Sequence, residues 1–237
     1  RKSILQKAKR ALAAAFPITI PVMVGYLFLG VAFGVLLQKN GYGVFWAILM
    51  SAVIYAGSMQ FLAINFLTPG VGVLSIIFMT LMVNIRHIFY GLSMLERFRG
   101  TGKKKPYLIF SLTDETFSLL CSAEPPQGVD RGLFYFFISL LDQVYWVAGS
   151  ALGGLAGALL SFNTKGIDFA MTALFVVIFV NQWRESKQHL PALCGLGLTA
   201  LCLLVFGADN FLLPALLLIL AALLLCRRRL ERGGDGA

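Results

Sequence analysis

Four charged side chains stand inside otherwise apolar stretches of this sequence: Arg86, Asp114, Glu115 and Asp142. Asn84 and His87 join them as polar neighbours. A charge at the centre of a hydrocarbon layer costs at least about 2.5–3.5 kcal/mol, and one retained at that cost pairs with another charge or lines a pathway. On a helix Thr80, Asn84, His87 and Gly91 share one face, and Arg86 and Tyr90 form an i, i+4 pair beside it. The next segment presents Ser111, Asp114, Glu115 and Ser118, so Arg86 opposite Asp114 or Glu115 is the natural ion pair. Such a pair gates a route through the protein, or it only ties two helices together; the residues admit both readings.

Neighbouring groups widen the chemistry. His87 suits a proton relay, being the residue type that titrates nearest neutral pH, and equally a plain hydrogen bond to a helix neighbour. Asp142, with Tyr145 and Trp146 three and four residues on, suits a pathway wall or a packed, hydrogen-bonded acid. Tyr55-Ala56-Gly57-Ser58-Met59-Gln60 interrupts an apolar run. A helix broken there would turn the N–H groups of Gly57 and Ser58 toward a substrate carboxylate; an unbroken one would use its small residues for a close helix crossing. No GxxxxGK[ST] phosphate loop, HExxH, GxSxG or paired metal-ligand spacing occurs. The chain therefore reads as a non-enzyme with no cofactor, no metal and no ATP-hydrolysing loop. An intramembrane protease or lipid transferase using Asp114 and Asp142 is the one enzymatic alternative.

The elements that must position these groups follow from composition. Of 237 residues 58% are hydrophobic and 13% charged, against about 45–50% and about 25% in soluble domains. Eight apolar segments, near residues 17–37, 44–67, 71–95, 107–123, 131–162, 167–183, 190–207 and 211–226, each approach the roughly 20 residues that cross a bilayer. The expected fold is all-α, a polytopic transmembrane helical bundle forming a single domain over residues 1–237. The net charge of +9 resides in clusters at Arg1–Arg10, Arg97–Lys105 and Arg227–Arg232. These flank apolar segments as cytoplasmic membrane ends do, and no base-reading or stacking face accompanies them, which excludes nucleic acid. Cys121, Cys194, Cys202 and Cys226 lie in or at the end of apolar runs and read as small hydrophobes. The chain opens on Arg1 and not Met, so some native N-terminus is expected to precede it.

The charge clusters constrain topology. Three segments separate the basic N-terminus from the basic 97–105 loop, and five separate that loop from the basic tail. Both numbers are odd although all three clusters belong on one side, so each half contains a segment that is not a single crossing. Irregular backbone at membrane depth is tolerated only where it lines a protein or water cavity. The expected breaks are Tyr55–Gln60 in segment 44–67 and Ala148-Gly149-Ser150 in the overlong segment 131–162. Pairing those segments gives candidate inverted repeats 17–95 and 107–183, while Tyr26-x3-Gly30-x3-Gly34 matches Tyr145-x3-Gly149-x3-Gly153 in another register.

At Tyr55-Ala56-Gly57-Ser58-Met59-Gln60-Phe61, Asn84-Ile85-Arg86-His87-x-x-Tyr90-Gly91 and Leu112-Thr113-Asp114-Glu115-Thr116-Phe117 the chain resembles the AzlC/YgaZ family. The likeness extends from Gly25-Tyr26 and Gly34 to Gly166-Ile167-Asp168-Phe169-Ala170, about residues 17–185. It implies a bacterial branched-chain amino acid exporter, the large subunit of a two-component carrier whose partner is a small membrane protein of the AzlD/YgaH type. No ATPase partner is called for. The expectation is a proton-coupled secondary transporter of valine, leucine, isoleucine or methionine in the inner membrane, N-terminus cytoplasmic. Tyr26, Gly57, Ser58, Gln60 and Asn84 would contact substrate; Arg86, His87, Asp114, Glu115 and Asp142 would gate or couple to protons. A membrane scaffold or sensor that does not transport is the alternative.

Overall fold

A computed structural model describes residues 2–67, 72–159, 168–185, 189–211, 214–215, 217–223 and 225. Every regular element among them is helical: α1 (Lys2–Lys39), α2 (Val44–Val53), α3 (Gly57–Phe66), α4 (Val73–Ser93), α5 (Lys105–Phe110), α6 (Asp114–Ser122), α7 (Arg131–Leu159), α8 (Asp168–Glu185) and α9 (Leu190–Asn210). The chain divides into two compact units, Arg1–Gly72 with Ile76–Thr172 and Val73–Ser75 with Ala173–Ala237. Gly166-Ile167, Thr68-Pro69-Gly70, Cys226 and the basic tail Arg227–Arg232 lie outside the described residues.

The first unit is built on a close contact between α1 and α7. A Cβ added to Gly30 would lie 2.9 Å from the Ser150 amide nitrogen, and one added to Gly149 would lie 2.9 Å from the Tyr26 and Leu27 carbonyl oxygens. At Gly34 and Gly153 it would run into the backbone of Ser150 and Val31 respectively. Contacts advance in the same sense along both helices, from Thr19 with Tyr145 to Gln38 with Gly157, so α1 and α7 run parallel. Small residues at this spacing let two backbones touch, which maximises dispersion contacts where lipid supplies no hydrophobic drive. The two matching Tyr-x3-Gly-x3-Gly patterns are thus the two halves of one interface.

Two short helical hairpins pack on this pair from opposite ends. The first, α2–α3, enters beside Gly154, where Val44 packs. It descends until Gln143 donates to the Ala52 carbonyl oxygen at 3.0 Å, then turns at residues 54–56. Tyr55 has φ 44°, the one left-handed non-glycine residue among those described. α3 returns the way α2 came: Gln60 meets Ser51, and Phe61 meets Phe33 edge-on at 5.7 Å. The second hairpin, α5–α6, enters at the other end, where Thr101 and Lys104 lie beside Gly132. It reaches Asp142 and Gln143 through Thr116 and Tyr107, and exits where Leu120 and Ala123 join Phe134 and Tyr135 in one apolar cluster. Gln143 holds both tips, accepting from the Tyr107 hydroxyl at 2.7 Å while it donates to Ala52.

This arrangement closes the topology of the first half. Ala15 of α1, Met94 after α4, Phe98 of the basic loop and the start of α7 share the same cluster, so the N-terminal part of α1 and the 97–105 loop lie at one end. Segment 44–67 is the interrupted one of the first half, as its Gly57-Ser58 signature predicts. In the second half the expectation is corrected. α7 passes unbroken through Ala148-Gly149-Ser150, because those small residues face the α1 backbone and release no peptide group. Segment 107–123 breaks instead, at residues 111–113. Thr113 there is extended and accepts the Thr116 amide, with Asp114 and Glu115 in the first turn of α6. That is an N-cap followed by acids at the positive end of a helix, a start signal legible in Thr113-Asp114-Glu115-Thr116.

Among the described residues four helices are long and apolar enough to cross a membrane: Leu5–Lys39, Val73–Ser93, Arg131–Leu159 and Leu190–Gly207. On α4, Leu74, Ile77, Leu81, Ile88 and Phe89 are each more than half exposed, a continuous apolar surface suited to lipid. In the second unit Trp183 stacks on His189 at 4.1 Å, and α9 is kinked by Gly207 at φ 73°. Exchange of Gly153 for leucine should lower stability by about 1–3 kcal/mol or more through overpacking. Gly25→Ala, where the new carbon meets nothing within 4 Å, should be neutral. Thermal unfolding of both variants in detergent checks the contrast.

Candidate functional site

The two hairpin tips bring two helix N-termini, those of α3 and α6, to the same depth on α7. The α3 terminus has no capping side chain and no acid in its first turn; the α6 terminus carries both acids. Arg86 of α4 joins them. Its Nη1 pairs with Asp114 Oδ2 at 2.8 Å and its Nη2 donates to Ser58 Oγ at 2.6 Å. Tyr90, one turn further along α4, donates to Asp114 Oδ1 at 2.7 Å and stacks on Phe117 at 4.4 Å. Asp114 is thus the partner of Arg86 that the residues left open, and α4 is tied to both tips at once.

Glu115 points elsewhere. It accepts from the Tyr26 hydroxyl at 2.8 Å, and that hydroxyl also lies against Thr113 Oγ1. Thr113 donates to Thr116 Oγ1 at 3.0 Å, and Thr116 donates to Asp142 Oδ2 at 2.8 Å. Asp142 is fully buried, and its Oδ1 has no hydrogen-bond partner; nor do Ser139 Oγ and the Tyr135 hydroxyl, which share its α7 face at i, i+3 and i, i+7.

The remaining candidates divide. Gln60 is fully buried with both ends of its amide engaged, donating to Ser51 at 3.0 Å and accepting from Trp146 Nε1 at 2.8 Å. Ser51 donates in turn to Ser150 at 2.7 Å. Gly57 lies under the Trp146 ring, where a Cβ would come within 3.1 Å of it, and Trp146 meets Tyr26 edge-on at 5.5 Å. Asn84 and His87 are bonded to their own helix, Asn84 donating to the Thr80 carbonyl at 3.0 Å and His87 Nδ1 lying 3.2 Å from the Asn84 carbonyl. The Asn84 side-chain oxygen is buried without a partner.

Asn84, His87 and Gly91 line an open pocket of about 540 Å³, together with Tyr55 and Ala56 of the first tip and Ile109 and Phe110 beside the second. Mostly apolar walls with a few convergent polar groups are the usual make-up of a small-molecule site, and the volume lies within the range of roughly 300–1,000 Å³ such sites occupy. The residues that the motifs did not single out as functional are Thr113, Thr116, Ser139 and Gln143. Thr113 and Thr116 were visible as a cap; Ser139 and Gln143 carry no local signal, because their roles depend on which hairpin packs against α7.

Comparison with known proteins places these groups in a wider set. The AzlC protein family matches residues 21–160, which take in both hairpins, α4 and α7. The chain is 51% identical to the branched-chain amino acid transport protein AzlC of Bacillus subtilis strain 168, over 94% of this chain and 87% of that one. It is 44% identical to an uncharacterized membrane protein of Helicobacter pylori strain J99, over 94% and 97%. The inner membrane protein YgaZ of Escherichia coli K12 is 24% identical over 74% and 73%. No solved structure matches.

Removing one partner of a part-buried ion pair strands the other. Arg86→Gln and Asp114→Asn should each lower the melting temperature, and the double variant should lose less than the two losses added. A double-mutant cycle on thermal unfolding should return a coupling of about 0.5–3 kcal/mol.

Proposed function

The chain belongs to the AzlC family, and on that footing we propose that residues 1–237 form a single secondary-transporter domain that exports hydrophobic amino acids from the bacterial cytoplasm. Valine, leucine, isoleucine and methionine are the substrates, the proton gradient is the energy source, and a small membrane protein of the AzlD/YgaH type is the partner. In this reading the end that carries the 97–105 loop is cytoplasmic, supported by its concentration of lysine and arginine, the N-terminus is inside and the protein resides in the inner membrane.

One observation carries this reading: Arg86 bridges two opposed hairpin tips, by an ion pair to Asp114 and a hydrogen bond to Ser58, near an apolar pocket of about 540 Å³. Opposed half-helices meeting at mid-depth are a recurring way of building a transport site, their positive ends meeting the anionic group of the substrate. Gly57 and Ser58 supply the uncapped α3 terminus for the carboxylate, with Arg86 alongside. The unpartnered Asn84 oxygen accepts from the ammonium group. The aliphatic side chain fills the cavity. Gln60 serves by locking the first tip, and Tyr26 by fixing Glu115. Arg86 and Asp114 form the gate, which opens when a tip or α4 shifts, with His87 at its edge; Glu115 and Asp142 carry the proton.

Labelled-valine efflux from loaded proteoliposomes, with and without the partner and with an imposed pH gradient, tests the reading. Gradient-stimulated efflux supports it; efflux indistinguishable from empty vesicles in every arm favours a scaffold or sensor. Cavity size makes a finer prediction. A Cβ on Gly91 meets only Ile109, at 3.6 Å, so Gly91→Ala is accommodated and Gly91→Val fills space. Competition assays should show Gly91→Val losing leucine relative to alanine by about 10-fold or more, the scale of discrimination a methylene group provides in an apolar pocket.

A further inference from the structure

Glu115 and Asp142 are the two ends of one unbroken chain of oxygens. Its links are Glu115 to Tyr26 at 2.8 Å, Tyr26 to Thr113, Thr113 to Thr116 at 3.0 Å, and Thr116 to Asp142 at 2.8 Å. Each hydroxyl owns one hydrogen, so three hydroxyls furnish three hydrogens for four links. With both acids ionised, one link is two oxygens facing each other with no hydrogen between them. A single added proton completes the set, and it does so in two ways. When Glu115 holds it, Glu115 donates to Tyr26, Tyr26 to Thr113, Thr113 to Thr116 and Thr116 to Asp142. When Asp142 holds it, every donor reverses, ending with Tyr26 donating to Glu115.

From this count we propose that Glu115 and Asp142 share one proton, and that Tyr26, Thr113 and Thr116 form a hydroxyl relay that carries it between them. Transfer breaks and forms one O–H bond at each hydroxyl and moves a net single proton from one carboxyl to the other; no other atom changes place. Thr113 fits both directions. Its oxygen accepts the Thr116 amide hydrogen in either state, leaving one acceptor site and one hydrogen for the relay. The ends differ in burial: Asp142 is fully buried, whereas Glu115 retains exposed surface. Arg86 and Asp114 face Glu115, and Tyr55 and Tyr107 face Asp142. The relay deepens the proton-coupled reading above and rests on it for its use, but the shared proton itself is measurable without transport.

Infrared spectra of the full chain in lipid at neutral pH should show a protonated-carboxyl band. The band should vanish in both Glu115→Gln and Asp142→Asn, because either amide supplies the fourth hydrogen itself. It should shift in Thr116→Val and return in Thr116→Ser. No band in the native protein, or a band that survives both amide variants, overturns the shared proton. In proteoliposomes Thr116→Val should lower gradient-driven flux about 10-fold or more while leaving amino acid exchange within about twofold, with Thr116→Ser restoring the drive; general acid–base groups contribute on this scale or above. Unchanged drive, or drive and exchange falling together, overturns the relay. A native band without any gradient-driven flux would instead remove the coupling and leave the shared proton standing.

Discussion

Peptide groups that leave a helix at mid-depth cannot face hydrocarbon, and the rest of the first unit is organised around that constraint. Two chain reversals, at residues 54–56 and 111–113, lie within the span of α7. They are tolerable only inside protein. The α1–α7 contact provides the wall: with glycine at Gly30, Gly34, Gly149 and Gly153 the two backbones approach closely enough to act as one slab. Gln143 then satisfies a carbonyl of one tip and a hydroxyl of the other, and Gln60 with Trp146 and Ser51 fills the space behind the first turn. Polar side chains that look expensive in an apolar sequence are what makes the irregular backbone affordable.

The charged residues follow from the same geometry. A helix beginning at mid-depth presents unpaired N–H groups and a positive end. α6 answers its own with Thr113, Asp114 and Glu115; α3 leaves its own open. Arg86 could not stand beside two positive helix ends without Asp114, and Asp114 holds it from one side while Tyr90 holds Asp114 from the other. The burden on Arg86 and Asp114 is therefore spread over a network, which is how buried polar groups reach a net favourable balance.

Much of this was legible in the residues. Intramembrane charge singled out Arg86, Asp114, Glu115 and Asp142, and charge parity required one interrupted segment in each half. The first was located from Gly57-Ser58. The second was misplaced because Ala148-Gly149-Ser150 and Gly57-Ser58 look alike in sequence. Small residues serve a helix contact and a helix break equally well, and only the neighbour decides. Thr113-Asp114-Glu115 was the better signal, since a cap with acids behind it marks a helix start whatever packs nearby. The pairing of Arg86 with Asp114 and not Glu115 was beyond reach, because it depends on residues 111–113 leaving the helical path and rotating the two acids apart.

That rotation separates two networks. Had segment 107–123 remained one helix, Asp114 and Glu115 would both flank a single face and compete for Arg86. With the break, Asp114 turns to α4 and the two tips, and Glu115 turns to Tyr26 on α1. The acid that holds Arg86 and the acid that ends the hydroxyl chain are adjacent in sequence but belong to different networks. They are joined by one rigid turn of α6, capped by the same Thr113 that bonds to Tyr26. Any movement of α6 that separates Asp114 from Arg86 must also move Thr113 and Thr116, and so stretch the links between Glu115 and Asp142. The ion pair and the hydroxyl chain are thereby linked through a single helical turn, without a separate transmission element.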